Sequence, residues 1–145
     1  MLTFTGIYDQ IAIDSKLIIP PQKPPIEYIL DTIVEVEIDK KEVIDTPLLY
    51  PEDELIDPPI EPRQLRKVII TGYVNIKIVY SALVPDQKVH AAHFKVPFCD
   101  LFEWPGGPPQ GTPIEVDTII EKQVFLREDE RRIFKALLIR LDVYR

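Results

Sequence analysis

The sequence predicts an all-β protein: a two-layer sandwich or flattened barrel, mostly antiparallel, of about seven to nine strands joined by proline-rich connections. Three observations predict it. From Lys67 to Tyr80 the even positions Val68, Ile70, Gly72, Val74, Ile76, Ile78 and Tyr80 are small, apolar or aromatic, while Lys67, Thr71, Asn75 and Lys77 stand between them. That is the period of a strand with one face on a core. No stretch sustains a helical period, so the apolar sheet faces must cover one another. Fifteen prolines are too many for strand interiors and belong in connections and at edges.

The stretch 65–98 is the central hairpin. After the Lys67–Tyr80 arm the run breaks at Pro85-Asp86-Gln87, a turn signal. In the second arm His90, Ala92, Phe94, Val96 and Phe98 share one side. Ahead of it, residues 1–19 form an N-terminal strand segment, one or two short strands built on Phe4, Ile7, Ile11, Ile13, Leu17 and Ile19. Residues 20–25, PPQKPP, are an extended spacer. From Ile26 to Ile44 alternation returns. Ile26, Tyr28, Leu30, Val34, Val36 and Ile38 are expected on one side, opposite Glu27, Asp31, Glu35, Glu37 and Asp39. That acidic row reads as a solvated face that discourages edge pairing.

Residues 45–64 form a proline-rich acidic loop carrying Leu48, Leu49, Tyr50, Leu55, Ile56 and Ile60. Spaced apolar residues favour a loop laid on this subunit or a neighbour. Residues 105–113, PGGPPQGTP, are a second connector. Residues 114–144 make a second hairpin turning at Arg127–Arg131, with Ile133, Leu137, Ile139, Leu141 and Val143 facing one way in the return arm. Phe94, Phe98, Phe102 and Trp104 read as core filling rather than a ligand pocket.

One domain fits 145 residues. With a net charge of −7 and no basic block, neither nucleic acid nor membrane insertion is expected. The lone Cys99 permits no internal disulfide. The start, MLTFTGIYDQ, lacks the marks of a signal peptide, so synthesis in the cytoplasm is expected. His90, His93 and Cys99 are the nearest group of metal-ligand types, but residues three apart on a strand face opposite ways. Ser81, Ser15 and Cys99 lack any nucleophile motif. No catalytic residue, cofactor or metal is expected.

The order PPQKPPIEYILDTIVEVEI, a proline-rich gap, VIITGYVNIKIVYSA, VHAAHFKVPF and a closing EDERRIFKALLIRLDV resembles the SPOCS domain, across roughly Lys16 to Tyr144. Gly72, Tyr80 and Val89–Phe98 are its most specific pieces. That domain occurs in sporulation proteins of endospore-forming bacteria, including spore-coat morphogenesis proteins in which a LysM module follows it. No such module is expected in these 145 residues, so LysM-borne docking is not transferred. The resemblance implies synthesis in the mother cell, a final place in the spore envelope or on the spore surface, and a non-enzymatic structural protein. Its expected partners are copies of itself, as a homo-oligomer or fibre, or other spore-envelope proteins. A monomeric adaptor or ligand-binding module is the alternative. For self-assembly by addition of the N-terminal strand to a neighbour, the expected subunit interface is Leu2, Phe4, Ile7, Ile11, Ile13, Leu48, Leu49 and Tyr50.

Overall fold

The computed structural model describes residues 2–49, 64–83 and 88–145. Its strands are β1 (Phe4–Ile18), β2 (Ile26–Leu49), β3 (Gln64–Ala82), β4 (Val89–Glu103), β5 (Glu115–Arg127) and β6 (Arg132–Tyr144). They form two antiparallel three-stranded sheets, β2-β3-β4 and β1-β6-β5. The sheets stack as a two-layer sandwich, β2 lying beside β5 and β4 beside β1. The all-β sandwich is as the alternation predicts, and it is not a closed barrel. Six strands among the described residues replace the seven to nine expected, because each is long, from 13 to 24 residues.

The core lies between the two central strands. Val68, Ile70, Val74, Ile76, Ile78 and Tyr80 of β3 are at most 2% exposed, as are Ile133, Leu137, Ile139, Leu141 and Val143 of β6. Burying each such side chain contributes about 1.5–3 kcal/mol. The chain changes sheet at the 20–25 and 105–113 connectors, and an arginine ties down each. Arg131 Nη1 donates to the carbonyls of Pro20 and Lys23, both at 2.9 Å. The Tyr80 hydroxyl donates to the Pro24 carbonyl at 2.8 Å. In the second connector Arg66 Nη1 donates to the Gly107 carbonyl at 2.6 Å. Gly107 lies so close under Trp104 that a Cβ there would come within 2.8 Å of the indole.

Three expectations change. Residues 2–19 hold a single strand of 15 residues, longer than the one or two short strands expected. β2 pairs with β3 at Asp45, opposite Arg66, and after a register shift at Leu49, opposite Gln64, so the ends of the expected 45–64 loop belong to β2 and β3. In β2, register shifts at Ile26/Tyr28, Ile29/Asp31 and Ile38/Lys40 break the single alternation. An extra residue in one strand reverses the faces beyond it. Ile29 therefore packs on the core, while Tyr28 and Leu30, expected inside with Ile26, are 65% and 53% exposed. The predicted turn Pro85-Asp86-Gln87 lies outside the described residues.

Gly72 pairs with Ile38 on one side and Phe98 on the other, next to the third shift. A Cβ there would stand 2.2 Å from the Glu37 carbonyl oxygen and 3.0 Å from the Phe98 ring. Only glycine lets β2 and the ring approach this closely. Replacing Gly72 by valine is expected to destabilise the fold by more than about 2 kcal/mol, through overpacking against backbone. Tyr80→Phe, which loses one hydrogen bond to the spacer, should cost about 1 kcal/mol. Urea denaturation of both variants checks the order; equal midpoints would contradict it.

Candidate functional site

The expected interface residues divide. Ile7, Ile11 and Ile13 point between the sheets and pack on the core of their own subunit. Phe4 is 40% exposed and tilts against Tyr144 with ring centroids 5.5 Å apart; Leu2 is exposed. Leu48 and Leu49 end β2, and Tyr50 lies outside the described residues. β1 is an edge strand of its own subunit, hydrogen-bonded along one side to β6.

Sequence reasoning brought none of the following groups together. The two long sides of the sandwich are closed by opposite electrostatics. On the β2/β5 side Lys41 and Glu115 form an ion pair, and Arg127 Nε donates to the Ile26 carbonyl at 3.2 Å. On the β1/β4 side two carboxyls meet. Asp9 of β1 is paired in register with Leu141, and Asp100 of β4 with Ile70, so both point inward beside the core. Asp100 Oδ2 is buried with no donor facing it. Its polar neighbour is the Asp9 carboxyl, and two carboxylates can hydrogen-bond only when one carries a proton. Burial, the hydrogen bond to Asp9 and the Asp9 charge raise the Asp100 pKa to about 7. Asp14 faces the opposite, outer side of β1, and no described basic side chain shares the Asp9–Asp100 contact.

Lys135 is a third buried polar group. It lies in the inward series of β6, paired in register with Ser15 of β1 and Phe125 of β5. The residue is fully buried, and its Nζ has no hydrogen-bond partner. Burial lowers its pKa, and the Asp14 charge acts the other way. The signal for it was present in the sequence, since an odd position between Ile133 and Leu137 faces the core. Ser81 Oγ is also buried without a partner.

The histidines separate as the strand period requires. His90 stacks on Tyr80 with ring centroids 6.0 Å apart, while His93 is on the outer face. Among the described residues no group of three His, Cys, Asp or Glu side chains could hold a metal ion. Phe94, Phe98 and Phe102 pack on the core, and Trp104 is buried, closing one end of the sandwich. An open depression of about 440 Å³ on the outer face of β2-β3-β4 is lined by Ile33, Glu35, Asn75, Lys77, His93 and Lys95.

Two outcomes follow from the buried charges. Asp100 holds its proton more tightly folded than unfolded, since about 7 exceeds the ordinary 3.8. Its contribution is therefore greatest below the ordinary value and is lost as pH rises through about 7. Asp100→Asn is expected to flatten this loss in thermal melts between pH 4 and 8; an unchanged slope would contradict it. For Lys135 the unfolded chain binds the proton more tightly, so its cost is present at neutral pH and fades as pH rises towards 10.5. Lys135→Met should stabilise the fold at pH 7 by about 1 kcal/mol or more, because it removes an unpaired buried charge at similar volume. A lower urea midpoint for that variant would contradict the assignment.

Comparison with known proteins adds the family. The family described as SipL, SPOCS domain, matches residues 25–124, from the end of the spacer through β2, β3, β4 and most of β5. Neither the curated proteins nor the solved structures contain a significant match. The match covers well over half of the 145 residues, and the chain belongs to the SPOCS domain family, a family of sporulation proteins.

Proposed function

We propose that the protein is a non-enzymatic structural block of the spore envelope or of a spore surface appendage, and that it assembles by pairing sheet edges between copies. The observation that carries this reading is the open edge of β1. Between Tyr8 and Ile18 it pairs residue for residue with β6, with no proline and no register shift. A regular edge with free backbone donors and acceptors is a template for another strand. The position of Ile7, Ile11 and Ile13 in their own core favours addition to β1 where it stands over release of β1 into a neighbour. The spacer held by Arg131 and Tyr80 favours it as well.

A second reading is a monomeric adaptor of spore-coat assembly. The depression beside Lys77, His93 and Lys95 is what favours it. Light scattering across a concentration series, with electron micrographs of the heaviest fraction, separates the two. Self-assembly gives a mass that rises with concentration above the monomer's 16.8 kDa. A constant monomer mass would overturn it and leave the adaptor.

A further inference from the structure

The four edge strands are not equally open. β4 carries Pro97 in its middle, and proline cannot donate to a ladder. β2 has repeated register shifts and an outward row of Asp31, Glu35 and Glu37. β5 has a shift at Ile120/Lys122 and the exposed acids Glu115, Asp117 and Glu121. These are the devices that keep sheet edges from pairing. β1 between Tyr8 and Ile18 has no proline and no register shift, and its outward charges are one acid, Asp14, and one base, Lys16.

The phase of the β1–β6 ladder says which backbone groups are open. Ile19 N–H donates to the Arg131 carbonyl at 2.8 Å. Bonded positions alternate along an antiparallel pair, so the odd residues of β1 bond β6. The N–H and C=O groups of Gln10, Ala12, Asp14, Lys16 and Ile18 then point to the open edge. An added antiparallel strand must place its own open positions opposite these.

We propose that β1 pairs with β1 of a second copy of this chain, antiparallel and two-fold symmetric about Ser15, joining two β1-β6-β5 sheets into one. This rests on the self-assembly reading above and names its interface. In this register the open positions from Ala12 to Ile18 face one another, and the ladder ends where Gln10 would meet Pro20. Asp14 stands opposite Lys16 of the second copy, and Lys16 opposite its Asp14, so one acid–base pair forms twice. Both side chains are exposed. Lys16 also holds Glu128 at 3.1 Å and would bridge the two carboxylates. Ile18, 63% exposed, comes opposite Ala12 of the second copy. Charge favours this register over its two neighbours. Centring the symmetry on Asp14 or on Lys16, the adjacent arrangements with the same backbone phase, sets like charges directly opposite each other, which is unfavourable. The contact is isologous, so it closes a dimer and consumes the β1 edge.

The test uses the full chain and the variants Asp14→Lys and Lys16→Asp, each checked for an unchanged β spectrum by circular dichroism. Sedimentation velocity is run over a concentration series for each variant alone and for an equimolar mixture. Each variant alone turns both acid–base pairs into like-charge pairs, and its dimer dissociation constant should rise roughly tenfold or more. In the mixture the acid–base pairs re-form between unlike subunits, and heterodimer should recover at close to the native affinity. Self-association of each variant at the native strength, or a mixture no tighter than its components, overturns this interface while leaving assembly through another edge. A native chain that stays monomeric throughout overturns the interface and the assembly reading together.

Discussion

The packing of the inner face of β3 against the inner face of β6 is the contact on which the rest of the structure depends. Both strands are paired on both sides, and their inward side chains are almost wholly removed from water. Everything else is placed relative to them. β2 and β4 flank β3, β1 and β5 flank β6, and the two connectors carry the chain from one layer to the other. The proline content is the sequence correlate of that plan. Proline runs stand where the chain leaves one sheet for the other, and Arg131 and Arg66 supply the hydrogen bonds that hold these crossings in place.

The alternation of β3, β4 and β6 was legible because each keeps an unbroken period of two, which fixes the inward face whatever the partner. β2 was legible only in part. A bulge is a relation between two strands, and nothing local in Ile26–Lys40 announces that Glu27, Leu30 and Asp39 are extra to the pairing with β3. The same limit applies to Asp9 and Asp100. Each is one acid among many in the sequence, and their meeting follows from the stacking of β1 beside β4, not from the pattern of either strand. Lys135 is the opposite case. The period of β6 places it inside, and a reading that kept only the apolar members of that period passed over it.

These buried charges lie against β1. The carboxyls of Asp9 and Asp100 meet where its inward side faces β4, and Lys135 is paired with its Ser15 through β6. Apolar burial of Ile7, Ile11, Ile13 and Leu17 holds the strand in its own subunit against this cost. The result is a strand fixed on one side by its core contacts and open on the other, and between Tyr8 and Ile18 it lacks the prolines, bulges and acidic rows that guard the remaining edges. In a family of sporulation proteins, that asymmetry supports a building block with one preferred contact over a body that resists pairing on all sides.

Residue-resolved amide exchange by NMR on the full chain, at a low and a high protein concentration, tests whether β1 is the joining edge. The amides of Ala12, Asp14, Lys16 and Ile18 should gain protection at high concentration, while the outward amides of β2, β4 and β5 should not. Equal exchange of these β1 amides at both concentrations, in a sample whose mass has risen, would contradict the claim that β1 is the edge through which the copies join.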